Sequence, residues 1–320
     1  MKSTNEWDKL KKVIVGRADY ACMPPMDRSY RHINFADKGD VSNVPSGLYP
    51  LQVIEEANED LEIFSQFLVG EGVEVLRPAI EPTDYYSFCP RDVVVSHGDV
   101  AFAAPMPLRA RKDDWKTIAH HFDDLKIVEC SYDDELYDDD CICEKNILAL
   151  TEHSPAFDAA NILKANDDIL YLVSNSGNVR GAKEVVEPLL NKKVHLLKDV
   201  YSYMHIDTTV AFLREGLLLA NPSRIKSKND LPGPFADWDI IWCPDAVDIG
   251  HYPGYNNCSP WCNMNLFSVS PDLVALEEHQ HPTRKVLESY GIECAMLPMR
   301  QARTLSGCFH CVTLDLERLT

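Results

Sequence analysis

The run Ser-Gly-Cys-Phe-His-Cys-Val-Thr-Leu-Asp (306–315) puts a thiol, Cys311, directly after a histidine near the end of the sequence. A His-x-Asp pair, His205 and Asp207, lies upstream, and Phe-Asp-Ala-Ala-Asn (157–161), with Asp158, lies before that. A thiol is a poor nucleophile until it loses its proton, and a neighbour must then return a proton to the leaving group. These residues are the inventory of a cysteine nucleophile, a histidine acid/base and supporting carboxylates. Cys, His and Asp can be picked from any chain this long, so the set is only suggestive until its surroundings are read. The three segments are far apart, and the fold has to bring them to one place.

The elements that would do so repeat. An apolar strand, a short polar or glycine turn and a second apolar strand recur over 93–105, 162–173, 210–221 and 266–276, and each reads as a β-hairpin. Apolar spacing predicts helices over about 51–70, 111–122, 181–190 and 281–290, flanked by short strands at 12–15, 73–76, 194–197 and 294–297. The result is a strand–strand–helix–strand unit, and repeated units of this size stack around a common core. The candidate residues lie just before the hairpins: Arg91-Asp92, then Asp158, then His205 and Asp207, then Asn263, with Cys311 on a closing strand. Units arranged about an axis would gather these strand ends in one cleft. Asp and Asn also begin hairpins because they suit turns. Turn chemistry does not explain His205, an ionisable ring in an apolar Tyr-Met-His-Ile stretch. The least regular part, 23–50, reads as a long loop able to cover a site, and 131–145 reads as an acidic, solvated segment.

The 320 residues carry 31 basic and 50 acidic side chains, a net charge of −19, and 45% are hydrophobic. That is the composition of a soluble globular protein. Such a surface repels phosphate backbones, which argues against nucleic-acid partners, and it favours a cationic substrate. The N-terminal segment has no signal core or amphipathic presequence, and no apolar run approaches bilayer length, so a cytoplasmic protein without a membrane partner is expected. Eleven cysteines are spread along the chain. Cys141-x-Cys143, Cys258-x3-Cys262, Cys308-x2-Cys311 and His279-x-His281 lack a matching second half at zinc spacing, so no structural metal is expected. No glycine-rich phosphate loop or dinucleotide fingerprint is present, and no cofactor is implied.

The flanking residues carry a specific likeness. Glu6-Trp7-Asp8, Val13-Ile14-Val15-Gly16-Arg17, Pro90-Arg91-Asp92, Ala103-Ala104-Pro105-Met106, Phe157-Asp158-Ala159-Ala160, Met204-His205-Ile206-Asp207, Asn221-Pro222-x-Arg224, Met264-Asn265 and Phe309-His310-Cys311 follow one another in order. The chain resembles the arginine:glycine amidinotransferase family, toxin-biosynthesis members included, over about residues 5–318. The resemblance implies a single domain over 1–320 with the pentein fold, a fivefold pseudosymmetric α/β propeller of ββαβ units. It implies Cys311 as the nucleophile that attacks the guanidinium carbon of L-arginine, His205 as acid/base and Asp158 as its orienting carboxylate. It implies Asp92 and Asp207 as the grip on the guanidinium, Arg224 as the partner of the substrate carboxylate, and Ser259 with its neighbour Cys258 beside the amino-acid end. Two carboxylates suit a planar, permanently charged guanidinium, whose charge in turn favours the thiolate. The expected partners are small molecules, L-arginine and an amine acceptor. A homodimer is an open state of assembly.

The sequence departs from the family pattern at Ser202-Tyr203, Cys258, Asn161 and Cys308, and the stretches 28–50 and 82–90 differ. The donor and nucleophile residues are kept, and the changes cluster toward the acceptor and the cleft entrance. Transfer of the amidino group to an amine acceptor, glycine or another primary amine, is therefore expected, with release of ornithine and without restriction to glycine. A guanidine hydrolase that uses water as acceptor is the alternative in the same fold. Cys308 and Cys311 at CxxC spacing motivate a third reading, a non-catalytic arginine-binding or redox-sensing protein.

Overall fold

The computed structural model describes residues 2–141 and 147–319. Cys143, and with it the Cys141-x-Cys143 pairing and part of the acidic stretch 131–145, lies outside the described residues. Among the described residues there are five three-stranded sheets, each an antiparallel pair extended by one parallel strand. Four of the pairs are the predicted hairpins: Val94–His97 with Val100–Ala103, Ile162–Ala165 with Asp168–Leu172, Val210–Arg214 with Leu217–Ala220, and Phe267–Ser270 with Leu273–Glu277. Their strands are mostly apolar because both faces are buried, the reading that Val/Ile/Leu-rich runs support, and the polar residues within them, such as Lys164 and Ser268, are themselves buried. Gly98 (φ +57°), Asn166 (φ +60°) and Gly216 (φ +76°) supply the left-handed turns that tight hairpins need.

The fifth sheet closes the ring. Leu10–Val15 pairs antiparallel with Thr313–Arg318 and parallel with Glu74–Leu76, so the two ends of the chain share one sheet. This is the fivefold α/β propeller of the pentein fold. A hydrogen-bonded ionic plug sits beneath the cleft. Asp315 pairs with Arg91 (2.7 Å), Lys164 (2.9 Å) and Arg318 (3.0 Å), and Arg91 also reaches Glu6 (3.3 Å). Arg91 donates through Nε to the carbonyls of His310 and Thr313, both at 2.9 Å, which ties the plug to the Cys311 turn.

Two local expectations change. Residues 111–122 form not an α-helix but short 3₁₀ turns, Asp114–Thr117 and Ala119–His121. The Thr117 carbonyl accepts from the Ala79 N–H (2.8 Å) and is spent outside the helix ladder, while His121 bonds back to Ile118. Within the loop 23–50, Arg28–Phe35 is helical. Asp27 caps it by accepting from the Tyr30 N–H at 2.8 Å. The helices Leu51–Gly70, His281–Ser289 and the π-to-α pair Gly181–Val186 and Glu187–Leu190 lie where the apolar spacing puts them, and the short helix Ala302–Leu305 is additional. No helix among the described residues is long and apolar enough to cross a membrane.

Candidate active site

Four of the five inner strands are entered through one 3₁₀ turn: Pro90–Asp92, Ala159–Asn161, Ile206–Thr208 and Pro260–Met264. The fifth is entered through the turn at 308–313, where Val312 N–H bonds to the Cys308 carbonyl (3.0 Å) and Thr313 N–H to that of His310 (3.2 Å). The first three turns touch in succession, and the third touches the fourth, so their residues converge on the axis. Gly16 assists on one side. A Cβ there would lie 1.9 Å from the Phe88 carbonyl oxygen, so only glycine lets the first strand end pack against the segment leading to Asp92.

The nucleophile, histidine and carboxylates named from the sequence meet in one cavity of about 470 Å³, except that Asp92 lies just behind its wall. His205 Nε2 is 2.8 Å from Asp158 Oδ2, and its Nδ1 is 3.8 Å from Asp92 Oδ1. The Cys311 thiol donates to Asp207 Oδ2 at 2.9 Å. Cys311 sulfur, a His205 nitrogen and an Asp92 oxygen lie within 4.8 Å of one another. Arg224 lines the cavity, with its Nη1 held by Ser202 Oγ (2.9 Å), Thr208 Oγ1 (2.6 Å) and Thr209 Oγ1 (2.8 Å). Cys258 and Ser259 form part of the opposite wall. Ser259 is exposed there, and the Cys258 thiol rests on the Ala302 and Arg303 carbonyls at 3.7 Å.

The electrostatics set a resting state. Burial alone would lower the His205 pKa, but the Asp92 charge and the bond to Asp158 outweigh it and hold the ring well above its ordinary value. Contact with the Cys89 thiol, burial and the Asp207 charge push Cys311 well above the ordinary thiol range. Asp207 is held down at about 2: burial opposes this, and the bond and charge of His310 overcome it. The cleft therefore rests as a neutral thiol beside a protonated histidine and an ionised carboxylate. Asp92 Oδ1 and Asp158 Oδ1 are buried with no hydrogen-bond partner among the described residues.

Several residues at the site were not singled out as functional from the sequence. Arg111, buried, pairs with Asp92 (2.5 Å) and Asp114 (3.0 Å) and lies over the Tyr86 ring at 4.8 Å. Of the two asparagines near the fourth hairpin, Asn263 bonds the Val247 carbonyl (2.8 Å), whereas Asn265 reaches the nucleophile. Asn34, Phe35, Asp37 and Lys38, from the helix within 23–50 and the residues after it, line the cavity beside Tyr203. The Arg-x-Arg at 109–111 and the Met-Asn at 264–265 were the available signals, but nothing local distinguishes an arginine that will be buried. Cys258, Cys262, Cys308 and Cys311 are free thiols. The His/Cys/Asp/Glu clusters among the described residues are the site itself and Glu277, Glu278 and His279. His281 belongs to neither.

The chain is 38% identical over 339 aligned residues to inosamine-phosphate amidinotransferase 1 of Streptomyces glaucescens, covering 98% of this chain and 95% of that protein. The chain belongs to the amidinotransferase family. It is 30% identical to the L-arginine:L-lysine amidinotransferase of Pseudomonas savastanoi pv. phaseolicola, covering 99% of this chain and 94% of that one. The solved inosamine-phosphate amidinotransferase of Streptomyces griseus superposes on all of this chain and 97% of its own, with a TM-score of 0.92 at 34% identity. No family model matches the sequence. This amidinotransferase is thus a transferase of amidino groups acting on small molecules.

Proposed function

We propose that the protein takes the amidino group of L-arginine onto Cys311 and passes it to a primary amine larger than glycine, with residues 1–320 working as one domain. One observation carries the donor half: a thiol, a histidine–carboxylate pair and two further carboxylates flank one point, with Asp92 Oδ1 and Asp158 Oδ1 lacking a donor. A guanidinium brings planar, charged N–H donors to such acceptors. Its charge beside Cys311 stabilises the thiolate, and the thiol proton leaves to solvent by way of Asp207 Oδ2, to which the thiol already donates, so that His205 keeps its own proton. The thiolate attacks the guanidinium carbon and a C–S bond forms. The C–N bond to the ornithine portion breaks as His205 gives its proton to the departing amine. The acceptor amine then forms the new C–N bond, surrenders a proton to His205, and the C–S bond breaks to restore the thiolate. Arg224 takes the donor's α-carboxylate, and Ser259 and Cys258 border its amino-acid end.

The cavity volume of about 470 Å³, together with relatives that act on inosamine phosphate and on lysine, supports a bulky acceptor. Arginine alone should yield a protein one amidino group heavier by intact mass spectrometry, with one ornithine released. Ornithine release at the normal rate from Cys311→Ala would refute the covalent route. Citrulline with ammonia as the products would assign water as acceptor. In competition between glycine and larger amines, a large kcat/KM advantage for glycine would refute the acceptor reading.

A further inference from the structure

We propose that Asn265 is a catalytic residue whose side-chain amide donates to the Cys311 sulfur and stabilises it as thiolate, a role that rests on Cys311 being the nucleophile. The Asn265 Oδ1 accepts from two backbone N–H groups, His310 (2.8 Å) and Cys311 (3.2 Å). Both of those are donors, so only an oxygen can face them, and the NH2 is thereby forced toward the sulfur, 2.9 Å away. Asn265 is 1% exposed and its position is set by the turn Pro260–Met264 that ends beside it. The orientation is therefore built in before any substrate arrives.

The need for such a donor follows from what else surrounds the sulfur. Asp207 is an acceptor at 2.9 Å, which suits a thiol and repels a thiolate. Asp92 adds a second negative charge within 4.8 Å, and the Cys89, Cys262 and Cys308 thiols lie close by. A Cβ on Gly307 would fall 2.6 Å from the Cys89 sulfur and 3.2 Å from the Cys311 Cβ, so the missing side chain is what lets the two cysteines approach. His205 is the charged group that favours the thiolate, whereas His310 holds Asp207 ionised and so maintains the charge that opposes it. His205 must give up its proton to ornithine, and at that moment the bound amidino group holds the sulfur. When the C–S bond later breaks, charge returns to the sulfur while the product is still leaving. The Asn265 N–H is a fixed, uncharged donor that persists through every protonation state of the histidine.

Asn265→Asp separates this role from a purely structural one. A carboxylate oxygen still accepts both backbone N–H groups, but the atom facing the sulfur becomes an acceptor with negative charge. The readouts are the pH dependence of iodoacetamide alkylation at Cys311, followed by peptide mass mapping, and the arginine–ornithine exchange rate. Expected is an alkylation midpoint moved to higher pH and exchange slowed about 10- to 100-fold, the range for a lost hydrogen bond to a charged group. Asn265→Ala, which removes the donor without adding charge, should move the midpoint the same way by less, and it decides the matter if the aspartate variant is not recovered folded. A wild-type midpoint and exchange rate in either folded variant would overturn the proposal. Absence of exchange in the wild-type protein would instead sink the arginine reading, and the alkylation profiles would still test Asn265.

Discussion

Asp158 accepts from His205 Nε2 at 2.8 Å, and its other oxygen is buried without a partner. Asp158→Asn keeps the shape but removes the charge that holds the ring's orientation, so kcat should fall about 10²- to 10⁴-fold, the usual worth of a positioned acid/base, with little change in the KM for arginine. Steady-state kinetics checks this, and a collapsed KM with kcat retained would make Asp158 a binding residue. Asp92 and Asp207 should behave differently from each other. Asp207→Asn should raise the KM for arginine with a smaller loss of melting temperature than Asp92→Asn. Asp92→Asn also breaks the shorter of the two ion pairs of the buried Arg111 guanidinium, which sits 2.5 Å from the lost charge and keeps only Asp114, and breaking such a buried pair costs about 3–5 kcal/mol. Melting curves beside donor KM values separate the two, and equal losses of stability would refute the distinction.

The helix Arg28–Phe35 is held at both ends by contacts outside itself. Arg28 pairs with Asp139 (3.0 Å) and Asp134 (3.3 Å), His32 Nε2 lies 2.8 Å from Asp139, and the Ala36 N–H donates to Tyr203 Oη at 2.6 Å. Part of the acidic stretch thus serves as an anchor for the cavity wall rather than as solvated surface alone. The ion pairs with Asp134 and Asp139 are largely exposed and each is worth little. The Tyr203 bond is partly buried and couples this wall to the Met-His-Ile-Asp turn. Tyr203→Phe should therefore raise the KM for the acceptor several-fold while arginine–ornithine exchange, which needs no acceptor, stays near wild type. Equal loss in both half-reactions would place Tyr203 on the donor side.

Across the whole molecule, the ionic plug governs acid stability. Glu6 is held at about 2: burial opposes this, but Lys164 and Arg91 prevail; Asp207 also lies at about 2, and Asp315 is held well below its ordinary value. Groups lowered on folding contribute stability that is complete above their unfolded values and disappears as pH falls toward the folded ones. The melting temperature should thus drop between about pH 4.5, the upper end of ordinary carboxylate values, and pH 2. Asp114 acts in the opposite sense, because burial raises it to about 7, and it favours the fold most below its unfolded value near 3.8. Melting curves from pH 7 to 2 check the sign, and a rising melting temperature below pH 4 would contradict it. Asp315→Asn leaves Arg91, Lys164 and Arg318 short of a charge and should cost about 3–5 kcal/mol.

Residue order alone determined the motifs and the hairpins, because both are local. A Phe-His-Cys run or an apolar pair around Gly98, Asn166 or Gly216 reads the same wherever the chain goes. The helix at 51–70 was legible for the same reason, with Val53, Ala57, Leu61, Phe64 and Leu68 on one buried face. Tertiary structure decided the rest. Residues 111–122 have helical spacing, yet the Thr117 carbonyl is taken by Ala79 and the ladder breaks. Arg28–Phe35 lacks a strong apolar stripe, and its ends are secured by Asp139 and Tyr203 from distant segments. Asp92 was legible as a carboxylate near a strand end, but its division between Arg111 and His205 depends on side chains 19 and 113 positions away. Asn265 reached the sulfur, and Asn263 did not, because one turn directs two neighbouring amides to different partners. Local order names the reactive groups. Which of them meet, and which oxygen is left without a donor, depends on long-range closure of the ring, which no local pattern encodes.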